Sequence, residues 1–244
     1  MNILKICPVS REKCFNKGFL LQYAIMSFNL DAMVKAVTEA KAKAKRRRFE
    51  QTYELIIRFK DFDVKNQANK FNITVTLPHP LQGKEPKVCV MATGAMVLAA
   101  KEAKADAILT REDIEKLAGN KKEIRKLAAS YDYFIATPDL MVLIGRVMGQ
   151  ILGPRNKMPE VVQPNADIKA VIDRLKRSIR IRVKDQPQVM CKVGTENMDP
   201  KQVAENIATV IDEVLKKVRP EQLGSVSVKL TMGPPITFSP LSTK

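Results

Sequence analysis

Val88-Cys89-Val90-Met91 is a short, continuous apolar run in the middle of the chain. Residues 107–109 and 134–136 form two more such runs, and charged stretches with helical spacing separate the three. Runs of this length, apolar at every position, are typical of strands buried on both faces of a parallel sheet. The middle of the chain therefore predicts a small, three-layer, Rossmann-like α/β unit, with helices on both faces of the sheet.

The segments on either side of this unit alternate apolar and polar residues instead. Alternation runs through residues 52–59, 71–77, 179–184 and 225–231, and Ile56 is the one apolar exception at a polar position. This pattern is typical of strands with one face on a core and the other in solvent. Residues 31–45 and 201–217 have helical spacing. The outer segments thus predict an α+β unit in which an antiparallel or mixed sheet packs on helices on one side only.

Proline-rich joints bracket the middle unit. Leu77-Pro78-His79-Pro80 precedes it, and Gly153-Pro154, Pro159 and Pro164 lie near its end. Such joints mark boundaries between structural units. We therefore expect an α/β protein with a discontinuous outer domain (residues 26–79 plus 177–244), an inserted α/β domain (residues 80–176) and an N-terminal extension (residues 1–25). Residues Pro78, His79 and Pro80 form the expected hinge.

The charge balance favours a polyanionic partner. Lysine and arginine number 42 against 26 acidic residues, which gives a net charge of +16. Nucleic acid is the first expectation and an anionic membrane surface the second. No apolar run approaches the roughly 18 to 20 residues that a membrane-spanning helix needs. Only +4 of the net charge falls in residues 80–176, so the outer domain is the better polyanion binder.

Two basic groups in the outer domain are candidate contacts for that partner. The first follows a predicted helix and ends at Phe49, and the second alternates with apolar residues along one predicted strand. Strand residues two apart are about 7 Å apart on one face, close to the spacing of phosphates along a nucleic-acid strand. Solvated helix ends are the alternative explanation for the first group. The candidate cations are Arg46, Arg47, Arg48, Arg180, Arg182 and Lys184.

Catalytic, metal and cofactor sites are not indicated. His79 is the only histidine and lies between two prolines, where ring packing is the simpler role. The four cysteines share no close metal-ligand spacing, so they fit a reducing compartment such as the cytoplasm. Residues 92–96 contain one glycine where a dinucleotide-binding fingerprint needs three. We therefore expect no enzyme activity, no metal and no cofactor.

Three ordered segments carry a family resemblance. They are Ile135-Ala136-Thr137-Pro138-Asp139-Leu140-Met141, Ile151-Leu152-Gly153-Pro154-Arg155-Asn156-Lys157-Met158-Pro159 and Leu230-Thr231-Met232-Gly233-Pro234. Together they resemble the ribosomal protein L-one family, and the middle segment is more similar to its archaeal and eukaryotic branch than to its bacterial branch. The resemblance covers roughly residues 27–238. Pro80 departs from the family pattern, which usually has glycine there, and so does Gln186, where lysine is common.

The resemblance implies a structural protein of the large ribosomal subunit that is a monomer outside the cytoplasmic ribosome. Its implied partners are the stalk helices of large-subunit ribosomal RNA, the exit-site transfer RNA that it helps to release, and other large-subunit components. Translational repression through a stalk-like messenger RNA hairpin is an alternative, and an RNA-processing enzyme is a more distant one. The RNA-contacting set that the resemblance implies is Phe49, Thr52, Glu54, Asp185, Ser225, Thr231, Met232 and Gly233.

Overall fold

The computed structural model describes residues 29–63, 69–163 and 166–239, so the expected extension at residues 1–25 lies outside the described residues. Three sheets and their flanking helices make up the described part. In chain order the elements are α1 (Leu30–Lys43), β1 (Thr52–Phe59), β2 (Asn72–Thr76), β3 (Val88–Met91), α2 (Ala95–Glu102), β4 (Ala107–Leu109), α3 (Arg111–Lys116), α4 (Lys121–Ser130), β5 (Tyr133–Ala136), α5 (Pro138–Val147), α6 (Gly149–Leu152), β6 (Glu160–Val161), α7 (Ile168–Lys176), β7 (Ser178–Arg182), β8 (Gln188–Thr195), α8 (Pro200–Leu215), a 3-10 turn (Pro220–Gln222), β9 (Leu223–Leu230) and β10 (Ile236–Phe238).

An antiparallel sheet of four strands, in the order β10-β9-β1-β8, joins the two ends of the chain. Along β1, Tyr53, Leu55 and Ile57 are fully buried, and they belong to the core that α1 and α8 cover. The intervening Glu54 and Ile56 are only partly buried. One covered and one open face confirm the class of sheet that the alternation predicts.

Strands β2 and β7 form a separate two-stranded antiparallel sheet. The prediction that all four alternating segments share one sheet is therefore wrong. The reason is β8, a strand that was not predicted. It follows β7 closely in the chain and occupies the edge of β1 along its length, pairing from Thr52↔Thr195 to Arg58↔Gln188. Because β8 occupies this edge of β1, β2 and β7 pair with each other instead.

The middle of the chain forms a parallel sheet in the order β4-β3-β5-β6. Cys89 and Met91 face one apolar core, which α3, α4, α5 and α6 cover. Val88 and Val90 face a second core, which α2 and α7 cover. Every residue of β3 is fully buried for this reason. The predicted three-layer α/β arrangement is confirmed.

The joint between the two groups of elements is fixed to α8. The side-chain amide of Asn206, which is fully buried, accepts from the His79 N–H (3.1 Å) and donates to the His79 carbonyl oxygen (3.0 Å). The same amide nitrogen donates to the Val193 carbonyl oxygen (2.8 Å). His79 Nε2 also lies 2.6 Å from Glu205 Oε2. The backbone of His79 is therefore held by α8, and Leu81 still packs in the core of the outer group.

Candidate nucleic-acid interface

On the open face of the four-stranded sheet, charged side chains of neighbouring strands lie opposite one another. Glu54 lies opposite Lys229 of β9 on one side and Lys192 of β8 on the other. Lys229 Nζ is 3.1 Å from Glu54 Oε2, and about a third of each side chain is exposed. Lys192 has no ion-pair partner in the described part of the chain. Of the two lysines beside Glu54, one is therefore neutralised and the other is available to a ligand.

A pair of threonines closes one end of this face. The Thr231 hydroxyl accepts from the Thr52 N–H (3.2 Å) and lies 3.0 Å from the Thr52 hydroxyl. The Thr231 N–H in turn donates to the Thr52 carbonyl oxygen (3.0 Å). Thr52 is buried, so its hydroxyl is occupied inside the protein. Both threonines therefore fix the end of β9 to the start of β1.

The turn after β9 projects Met232 into solvent. The Gly233 N–H donates to the Leu230 carbonyl oxygen (2.7 Å), which closes a tight turn. Met232 adopts a left-handed backbone conformation, with φ of 61°, and the residue is 71% exposed. Left-handed conformations are uncommon for residues other than glycine, so the turn is fixed by its surroundings. A Cβ on Gly233 would lie 3.6 Å from Ala44 Cβ, and this places the turn beside the segment that follows α1.

The first basic group lies on that neighbouring segment. Helix α1 ends at Lys43, and residues 46–48 are exposed in the loop that leads to β1. Gln51, which is buried, donates its side-chain N–H to the Lys45 carbonyl oxygen (3.0 Å) and so holds the loop. Phe49 is 46% exposed. The structure thus brings Arg46, Arg47, Arg48, Phe49, Met232 and Gly233, which come from both chain ends, to one end of the sheet.

The other predicted contacts lie at the opposite end of the same sheet. Ser225 is near the start of β9, and Asp185 is in the turn between β7 and β8. Lys184 Nζ is 3.4 Å from Asp185 Oδ2 in a highly exposed ion pair, which contributes little to stability. From Thr52 to Arg58, β1 spans roughly 20 Å. The predicted set is therefore two groups at the two ends of one face.

Arg180 does not lie on the open face. Its guanidinium is 4.8 Å from the centre of the Tyr133 ring, and it donates to the Asn156 carbonyl oxygen. Strand β7 ends at Arg182, so Lys184 is in the following turn. The predicted row of Arg180, Arg182 and Lys184 is consequently divided, with its first member turned toward the parallel-sheet unit.

Three exposed residues on the open face were missing from the predicted set: Arg58, Met190 and Lys192. The last two lie on β8, where Val189, Cys191 and Val193 are buried and the intervening residues are exposed. The same alternation that identified the other strands is present there, and it is the signal that could have found them.

The buried thiols of the described residues are held in their neutral form. Burial, followed by the nearby charge of Asp106, raises the pKa of Cys89 to about 12. Burial alone raises the pKa of Cys191 to about 12. Neutral thiols are poor nucleophiles and poor metal ligands. Within residues 29–63, 69–163 and 166–239, no three His, Cys, Asp or Glu side chains are grouped to hold a metal, and no helix is long and apolar enough to span a membrane.

Comparison with known proteins gives concordant matches. Residues 37–234 match the Ribosomal protein L1p/L10e family. The protein named large ribosomal subunit protein uL1 from Pyrobaculum arsenaticum is 48% identical over 209 residues, which cover 85% of this chain and 93% of the relative. The protein of the same name from Thermofilum pendens is 45% identical over the same shares. The one from Thermococcus kodakarensis is 44% identical over 214 residues, or 86% of this chain and 98% of the relative.

These relatives are archaeal, which agrees with the branch that the sequence motifs indicate. Proteins of this family are structural rather than enzymatic, and this confirms the expectation that the chain is not an enzyme. The matched residues include the whole parallel-sheet unit. They also include β7, β8, β9 and α8 and the second half of α1, which belong to the outer part of the molecule. On this evidence the chain belongs to the Ribosomal protein L1p/L10e family.

Proposed function

We propose that the protein is a structural component of the large subunit of the cytoplasmic ribosome and binds the stalk helices of large-subunit ribosomal RNA. One observation carries the proposal. Pairing of β1 with β9 places the exposed Phe49 and Met232 beside three exposed arginines, although the two segments come from opposite chain ends. Exposed apolar side chains among cations suit a partner with a charged backbone and apolar sugar and base surfaces.

Each group at this end of the sheet has a distinct role in the proposal. Residues 46–48 contact phosphates, while Phe49 and Met232 pack on ribose or base surfaces. Gly233 lets the RNA backbone approach the turn. Thr52 and Thr231 hold the turn in position rather than contacting the RNA themselves, because their hydroxyls are engaged with each other. Glu54, beside Lys229, accepts from ribose hydroxyls.

A second contact zone lies at the far end of the same face. Arg182, Lys184, Asp185 and Ser225 surround it, and Arg58 lies at the same end of β1. Arg182, Lys184 and Asp185 line one shallow cavity there. The roughly 20 Å between the zones requires an RNA that extends along β1. A folded stalk of two or more helices satisfies this requirement, whereas a short isolated loop reaches one zone only.

We also propose two domains with the bounds expected from the sequence, residues 26–79 plus 177–244 and residues 80–176. Separate apolar cores support this division. Because Asn206 holds the backbone of His79 and Leu81 packs in the outer core, the pivot between the domains lies beyond Leu81. The inserted domain then extends away from the RNA-binding sheet, toward exit-site transfer RNA, a role that rests on the family resemblance.

Binding to a stalk fragment tests the main proposal. Affinity is measured against a scrambled hairpin of equal length over a range of salt concentrations, for wild type, Met232→Ala and Phe49→Ala. Met232→Ala is a sharper probe than Thr231→Ala, since Thr231 also fixes β1. Phe49→Ala is expected to lose about 1 to 3 kcal/mol of stalk binding, the usual value of aromatic stacking on a base. Met232→Ala is expected to lose about 1.5 to 3 kcal/mol, the usual value of burying a methionine side chain. Leu98→Ala removes a side chain that is also exposed but lies on α2, and should bind as wild type does.

The arginines are expected to affect both RNAs alike. Replacing Arg46, Arg47 and Arg48 with glutamine should lower the slope of log affinity against log salt by roughly 2 to 3, about one for each lost phosphate contact. Equal affinity of the wild type for the stalk and the scrambled hairpin at every salt concentration would overturn the proposal.

A further inference from the structure

We propose that the cleft between the four-stranded sheet and the parallel-sheet unit is a binding site for a phosphate group. This site is separate from the sheet end described above and is not needed for the proposed stalk binding. The cleft has a volume of about 380 Å³, which is within the range of small-ligand pockets. Its charged lining residues are Lys84, Arg155, Lys157, Arg180, Lys192 and Asp132.

The charge of this lining is strongly unbalanced. Five cations face one carboxylate across the cleft. The cations come from four parts of the chain: the segment between β2 and β3, the segment after α6, β7, and β8. A concave surface that gathers one sign of charge beside an apolar wall concentrates its electrostatic potential. Leu81, Pro86, Ile179 and Met190 supply that wall.

Backbone carbonyls hold most of these cations in place without neutralising them. Lys84 Nζ donates to the Glu50 carbonyl oxygen (2.5 Å), and Lys157 Nζ donates to the Tyr131 carbonyl oxygen (2.7 Å). The guanidinium groups of Arg155 and Arg180 likewise donate to carbonyls. A carbonyl has no net charge, so these contacts orient the cations without compensating their charge. Lys157 differs from the other three in also having a carboxylate partner, Asp132.

The other two charged residues of the cleft, Lys192 and Asp132, also leave it with an excess of positive charge. The side-chain ammonium group of Lys192 has no hydrogen-bond or ion-pair partner in residues 29–63, 69–163 and 166–239. Asp132 is the only counter-charge among the residues that line the cleft, and its Oδ1 is 3.5 Å from Lys157 Nζ, whose side chain is only 20% exposed. Several fixed donors around one cavity are the arrangement that binds a tetrahedral oxyanion. A phosphate, either free or part of an RNA backbone, fits this chemistry.

Methionine methyl groups give a direct test in the intact protein. Met190 lines the cleft and also the shallow cavity beside Arg182, Lys184 and Asp185, whereas Met232 lies at the sheet end. Carbon-13 labelling of methionine methyls therefore separates the sheet end from the other two places, and replacement of Lys84 and Lys192, which line only the cleft, separates the cleft from the shallow cavity. Sodium phosphate is titrated at constant ionic strength against a chloride reference, and a six-nucleotide single-stranded RNA is titrated in parallel. Phosphate should shift the Met190 methyl signal saturably and leave Met232 unchanged.

A variant and a matched control complete the test. Replacing Lys84 and Lys192 together with glutamine should weaken phosphate binding at least about tenfold, since each removes a charge-assisted contact. Lys169→Gln makes the same substitution on the exposed face of α7 and should match wild type. If the Met190 signal shifts with phosphate but not with RNA, RNA is overturned as the source. The site itself is overturned if chloride shifts the signal equally, or if the double variant binds as tightly as wild type.

Discussion

Asn206→Ala is expected to destabilise the protein far more than a polar substitution on α8 usually does. The wild-type side chain is fully buried and makes three hydrogen bonds, at 3.1 and 3.0 Å to His79 and 2.8 Å to Val193. A typical hydrogen bond contributes about 1 kcal/mol net, and a buried partner left without one costs more. The free energy of unfolding should therefore fall by about 3 kcal/mol.

Equilibrium unfolding in urea measures this loss as a shift of the midpoint at an unchanged slope. Asn197→Ala provides the control, because Asn197 is exposed and makes one hydrogen bond, to Glu50 Oε1 (2.9 Å). Its replacement should change the free energy of unfolding by no more than about 0.5 kcal/mol. If Asn206→Ala costs less than about 1 kcal/mol, or no more than the control, then α8 does not fix the joint in the way we infer.

Two further predictions concern packing and pH. Gly194→Ala should lower the free energy of unfolding by about 1 to 3 kcal/mol, because the new Cβ would lie 2.7 Å from Val203 Cγ2. Gly145→Ala is the control: a Cβ there would meet nothing within 4 Å, so the substitution should raise the thermal midpoint by favouring helix α5. A Gly194→Ala variant as stable as wild type would contradict this packing. Burial raises the pKa of Tyr133 from 10.0 to about 12, so the unfolded chain releases that proton first and stability falls as pH rises between these values. In urea unfolding at a series of pH values, the free energy of unfolding of Tyr133→Phe should fall less steeply with pH than that of wild type, by up to about 1.4 kcal/mol per pH unit. Identical slopes for the two proteins would refute the raised pKa of Tyr133.

Local pattern was sufficient to predict the parallel-sheet unit. Strands β3, β4 and β5 are short and apolar throughout, and their neighbours in the sheet are near in sequence, so pattern and topology agree. The edge strand β6 was not predicted, because its two residues, Glu160 and Val161, are exposed and form no apolar run. The outer sheet was predicted only in part. Alternation shows which face of a strand is buried, but it does not identify the strand's neighbour. The pairing of β1 with β8 and β9 depends on contacts between distant segments, so one predicted sheet became two.

The same distinction applies to the candidate site. Alternation correctly predicted that Arg180 does not face the outer core, but it could not show that Tyr133 of another unit covers the residue. The family resemblance placed Thr52 and Thr231 among the RNA contacts, but nothing in the sequence indicated that their hydroxyls lie 3.0 Å from each other. Exposure of Phe49 and Met232 agrees with an interface because neither side chain has a place in the core.

The position of β1 in the middle of its sheet also sets an order of events during synthesis. Both of its partners, β8 and β9, lie in the last quarter of the chain, whereas β3, β4, β5 and β6 all lie within residues 88–161. Because the chain is synthesised from its N-terminus, the parallel sheet can form before β8 and β9 have been made. Until then, both edges of β1 are unpaired. A prematurely terminated product would therefore carry a folded insert but lack the assembled four-stranded sheet that we propose binds RNA, and it would not compete with complete molecules for assembly.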